Sequence, residues 1–184
     1  MSLTKTVSRK PIHQRQIDCI GYQREDGHWD IEGHLIDTKT YAFDNQWRGV
    51  IEPKTPLHEM LLRITLNDEL EVINAEAFTR YSPYPECPDF PDKLHLLKGL
   101  KIAPGWTKSI QKTLGGRHGC THINELLGRV ANVAYQTIMP LVHSHKKRSE
   151  MTRKPRIIGT CHALKSDGEV VKREWPQFYV DKIL

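Results

Sequence analysis

The chain has few cysteines and no paired ones. They stand at positions 19, 87, 120 and 161, with no CxxC, which excludes zinc ribbons and other modules built on closely spaced ligands. No stretch approaches the roughly 20 apolar residues of a membrane helix. The opening MSLTKTVSRK lacks the apolar segment of a secretory signal. The expectation is a cytoplasmic protein, free of membrane, whose cysteines serve as thiols or ligands. No glycine-rich loop carries the Lys-Ser/Thr of a nucleotide-binding P-loop, and no internal repeat is visible. Lys plus Arg number 27 against 22 Asp plus Glu, a formal +5. That balance permits an anionic ligand but does not demand nucleic acid. The basic run from Lys146 to Arg156 has no interleaved aromatic residues for base stacking, so nucleic acid is not the expected partner.

What is present points to a folded domain. At 38% hydrophobic and 27% charged residues over 184 positions, the chain can bury a core without disulfides. Residues 1–15 read as a basic mobile arm, 16–143 as the main domain, 144–156 as a basic linker and 157–184 as C-terminal strands rejoining the sheet. Trp29, Ile31, Gly33 and Leu35 alternate with Asp30, Glu32 and His34, the pattern of a strand with one buried face. Leu62, Ile64 and Leu66 open a second hairpin that turns at Asn67-Asp68-Glu69. Prolines 83, 85, 88 and 91 mark a loop around Cys87. A short helix is predicted over 92–100, a second over 104–114 before Gly115-Gly116, and a third from Thr121. In the third, Ile123, Leu126, Leu127, Val130, Val133, Ala134 and Ile138 recur at helical spacing, with Thr121 as its cap. Ser166-Asp167-Gly168 is read as a turn between two short strands. The fold class is therefore α+β: an antiparallel sheet of short strands with about three helices drawn from residues 92–143.

Five stretches carry a family resemblance: GYQREDGHWDIEGHLIDTK (21–39), PLHEMLLRITLNDEL (56–70), SPYPECPDF (82–90), GLKIAPGWTKSIQKTLGGRHGCTHINELL (99–127) and CHALKSDGEVVKREWP (161–176). Together they resemble domain-of-unknown-function family 2889, a bacterial family, over nearly the whole chain. The resemblance implies no activity. Residues 58–138 also resemble, in part, the iron–sulfur cluster scaffold fold. INAEAF (73–78), LKGL (97–100) and CTHINELL (120–127) fall in similar order. In that comparison His58 stands near the first cluster cysteine, Pro83 near the second with Cys87 four residues on, and Cys120 at the third.

The chemistry-bearing candidates are led by Cys120 and His122. At a helix N-terminus, free amides and the helix dipole favour a thiolate, which binds metal or attacks a carbonyl; His122 would ligate or act as base. The plain alternative is a packed thiol and a histidine bonded to its own turn. His58, Cys87, Cys120 and His122 would together supply a two-His, two-Cys set suited to zinc or iron, with Cys161, beside His162, as a substitute. Asp30, Glu32 and His34 form either a cation or acid–base site or a solvated outer face, the commoner case. Tyr81, Tyr84, Phe90 and Trp106 would wall a small-molecule pocket. Residues 115–119 would cradle an anion or simply link two helices. The leading expectation is a metal-binding Cys/His site beside a pocket, with enzymatic activity left open. The alternatives are a non-catalytic accessory or cluster-scaffold protein and weak nucleic-acid binding through the arm and linker.

Overall fold

The computed structural model describes residues 3–142 and 151–181. It divides into two compact units, Met1–Met139 and Pro140–Leu184. The first is built on a four-stranded antiparallel sheet of order β1-β2-β5-β6. These strands are β1 (His13–Gln23), β2 (Trp29–Lys39), β5 (Pro56–Leu66) and β6 (Val72–Tyr81), each 10 or 11 residues long. They are longer than the short strands expected from the sequence. A small hairpin, β3 (Phe43–Asn45) and β4 (Gly49–Ile51), fills the connection between β2 and β5. Then come a 3₁₀ segment, Cys87–Leu97, and the helices α1 (Trp106–Leu114) and α2 (Thr121–Val142).

The alternation read in β2 is real: Trp29, Ile31 and Leu35 are buried, while Asp30, Glu32 and His34 are only partly covered. The opposing stripe of α2, including Ile123, Leu126, Leu127 and Val130, is buried in the same unit. Two glycines set how closely α2 approaches. A Cβ on Gly33 would lie 2.9 Å from Val130 Cγ1 and 3.2 Å from Leu126 Cδ2. One on Gly21 would fall 2.1 Å from Thr137 Oγ1. Gly33→Ala is therefore expected to lower unfolding free energy by about 1–3 kcal/mol through overpacking, read from urea denaturation. An unchanged midpoint would mean that α2 is free to lift off the sheet at this point.

Two bonds fix α2 against α1. Trp106 Nε1 donates to the Leu127 carbonyl at 3.1 Å, and Asn124 Nδ2 to the Leu114 carbonyl at 2.7 Å. The Cys120 carbonyl accepts the Asn124 amide. Cys120, not Thr121, thus occupies the capping position of α2, because its C=O takes the first intrahelical bond.

Two boundaries differ from expectation. β1 begins at His13, so the end of the supposed arm is strand. In the second unit, 157–180 hold no strand: α3 (Glu169–Glu174) starts directly after Gly168 and is flanked by 3₁₀ turns. Ser-Asp-Gly precedes a helix start as readily as it makes a hairpin turn. Val171 and Trp175, four apart on one helical face, form that unit's small core with Ile158. Residues 143–150, most of the expected basic linker, lie outside the described residues.

Candidate metal centre

The strand register places one polar row at the end of the sheet. Arg15 of β1 stands opposite Asp37 of β2, and Asp37 opposite His58 of β5, where the β2–β5 pairing is broken by a bulge between Asp37 and Thr38. Side chains on directly paired residues share a face. All three therefore project on the side where Ile31 and Leu35 are buried and where α2 lies. His122, in the first turn of α2, comes down onto the same point.

Asp37 is the hub. Its side chain is 2% exposed, against 15% for His58, 18% for His122 and 48% for His13. The Arg15 guanidinium grips it with two bonds, Nε to Oδ1 at 2.8 Å and Nη2 to Oδ2 at 2.6 Å, the fork geometry of a strong ion pair. His13 Nε2 lies 3.2 Å from Oδ1. His58 Nδ1 lies 3.2 Å and His122 Nε2 3.6 Å from Oδ2. The His58 and His122 rings pack with centroids 3.9 Å apart. Arg15 also reaches Glu125 on α2, which ties β1 to the helix.

The electrostatics follow. Burial pushes the Asp37 carboxyl up, but Arg15, His58 and His13 outweigh it and hold the group below its ordinary value. Burial pushes His58 down to about 4, with His122 adding to the shift and Asp37 opposing it. His122 is lowered as well, by burial first and the Arg15 charge second. Near neutral pH the centre thus holds one carboxylate, one guanidinium and two neutral imidazoles, the protonation state that metal ligation requires.

Asp37, His58 and His122 each present one ligand atom, and these atoms lie within 4.8 Å of one another. Of the residues singled out in the sequence, His58 and His122 belong to this group; Cys120 and Cys87 do not. The Cys120 thiol sits 3.9 Å from Nδ1 of His122, the ring nitrogen turned away from Asp37. Cys87, at the start of the 3₁₀ segment, is half-buried; burial raises its thiol pKa, and the neighbouring Cys120 adds to that. Cys161 is exposed and belongs to the other unit.

The remaining candidates disperse. On the outer sheet face Asp30 bonds Thr65 and Arg24, Glu32 pairs with Arg63, and His34 with Glu59. Each is engaged with a neighbour, as on a solvated face. A cavity of about 450 Å³ lies on that same face, lined by Glu32, His34, Arg63 and Phe78 among others, not beside Asp37. The expected aromatic wall is not one cluster. Tyr84 packs edge-on to Trp47, Tyr81 lies under Arg48, and Trp106 is buried against α2; the Phe90 side chain lies outside the described residues. In the 115–119 loop the amides of His118 and Gly119 are spent on the carbonyls of Gly115 and Gly116.

Sequence reasoning passed over Asp37, Arg15 and His13. The signal was there: Asp37 continues the buried parity Trp29, Ile31, Gly33, Leu35 and puts a charge where an apolar residue belongs. His58 does the same ahead of Met60, Leu62 and Ile64. A carboxylate and an imidazole at the ends of two buried stripes need polar partners and are candidates for a site.

Among the described residues no helix is long and apolar enough to cross a membrane. No curated protein matches the chain, and no solved structure does. One family model matches, over residues 13–136, a span that contains the whole Asp37 cluster. The chain belongs to that family, described as a protein of unknown function (DUF2889).

Proposed function

We propose that this domain binds a single divalent metal ion, zinc or iron, through Asp37, His58 and His122. The observation that carries this reading is the convergence of three donor atoms within 4.8 Å of one another, with the Asp37 oxygen near tetrahedral spacing from both imidazoles. Four ligands about 2.0–2.1 Å from a zinc ion stand about 3.3–3.4 Å apart along the edges of a tetrahedron. The Asp37 oxygen lies 3.2 Å and 3.6 Å from the two imidazole nitrogens. Two neutral imidazoles and one carboxylate suit either metal. A cluster scaffold is less well supported, because iron–sulfur clusters call chiefly on thiolates and the converging group contains none.

On this reading Cys120 is a positioning residue. With the lone pair of His122 Nε2 turned to the metal, Nδ1 carries the proton and donates to the Cys120 sulfur. That fixes the tautomer and makes the ring a better ligand. Cys120→Ser is expected to weaken zinc binding about 10–100-fold without abolishing it. Asp37→Ala, His58→Ala and His122→Ala should each remove tight binding. The check is a competition titration with a chromophoric chelator. Wild-type affinity in all three alanine variants would overturn the site. Complete loss in folded Cys120→Ser would make the sulfur a ligand.

A further inference from the structure

Three protein donors are one short of a filled tetrahedron. What takes the fourth position decides whether the ion is a Lewis acid with a bound water or a closed staple. Resting on the metal reading above, we propose that His13 supplies the fourth ligand and closes the site.

The candidates around the carboxylate can be taken in turn. Cys120 faces the wrong nitrogen of His122. Glu125 is held by Arg15 and approached by Arg129. Arg15 itself cannot ligate. His13 is different on three counts. Its Nε2 already lies 3.2 Å from Oδ1 of the carboxylate whose Oδ2 faces both other imidazoles. Its present bond is dispensable, because Oδ1 also accepts Arg15 Nε at 2.8 Å and keeps a donor when His13 leaves. Its ring is half exposed, whereas its backbone is anchored. Thr40 donates to the carbonyls of Ile12 and Pro11, at 3.2 Å from the amide and 2.8 Å from the hydroxyl. In the structure His13 stands outside the three converging donors, so ligation requires its side chain to turn from Oδ1 toward the ion. A neutral imidazole also adds no charge beside Arg15.

The consequence is a three-His, one-Asp centre joining four elements: β1 through His13, β2 through Asp37, β5 through His58 and α2 through His122. Such a centre holds the open end of the sheet against the start of the helix and leaves no position for a catalytic water. His13, on the solvent side, is the ligand that opens to let the ion in or out.

The test is cadmium NMR on the full, untagged chain with isotope-labelled imidazole nitrogens and one equivalent of labelled cadmium. Three imidazoles coupled to the cadmium, assigned to His13, His58 and His122, is the expected result. His13→Ala should lose one coupling and keep the other two. A wild-type spectrum with couplings to His58 and His122 alone overturns the proposal while leaving the metal site standing. A spectrum with no coupling to either His58 or His122 overturns both.

Discussion

Asp37→Asn is expected to cost the metal-free protein about 3 kcal/mol in unfolding free energy, the scale of breaking a buried ion pair from one side. Asparagine keeps the volume and one acceptor oxygen. It removes the charge that offsets the Arg15 guanidinium, and it turns an NH₂ donor toward groups that are themselves donors. Arg15, which Asp37 now holds well above its ordinary pKa, would be left with Glu125 alone. The same substitution removes the carboxylate from the proposed metal site, so zinc should no longer protect the variant. Urea denaturation with and without a chelator separates the two effects. An unchanged midpoint in chelator would mean that Asp37 is better solvated than its 2% exposure indicates.

Acid should destabilise the metal-free protein earlier than carboxylate titration alone would. His58 is held down at about 4 from an ordinary 6.5, so the unfolded chain takes up a proton near pH 6.5 that the folded protein refuses until about pH 4. The depressed imidazole therefore contributes stability that is complete above pH 6.5 and lost progressively as pH falls through that window. The loss is about 3 kcal/mol at most, at about 1.4 kcal/mol per pKa unit. His122, lowered for the same reason, adds to it, and Asp37 adds a further loss at lower pH still. Unfolding free energy measured against pH should slope downward from about pH 6.5 in the wild type. In His58→Gln, which has no proton to take up, the slope should be shallower. Equal slopes would remove His58 as the cause. Excess zinc should shift the wild-type loss to lower pH, because ligation and protonation compete for the same lone pairs.

The parts of this architecture that repeat along the chain were legible from sequence. β2 announced itself by strict alternation, β5–β6 by a polar turn between apolar runs, and α2 by seven apolar residues on one face. Helix packing against the sheet followed from those patterns, although the role of Gly33 and Gly21 did not, since a close approach depends on what lies opposite. The C-terminal strands failed because that segment is short. Val170-Val171 looks like strand in isolation, and the helical pairing of Val171 with Trp175 emerges only once Ile158 is seen against them. The candidate site was half legible. His58 and His122 were named as ligands on residue type and position. Their partner was not, because Asp37 follows Asp30 and Glu32 along one strand, and its break in the buried parity of β2 does not stand out in the sequence. Arg15 and His13 were lost with the supposed arm. Convergence of β1, β2, β5 and α2 on one carboxylate is a statement about register, and register is not local in sequence.

The measurement that tests the central claim most directly is metal content of the full chain purified without a histidine tag, beside a His58→Ala, His122→Ala double variant prepared in the same way. About one equivalent of zinc or iron in the wild type, and none in the folded double variant, is the predicted result. Absence of metal from the wild type even after incubation with excess zinc, or equal metal in both proteins, would contradict the account.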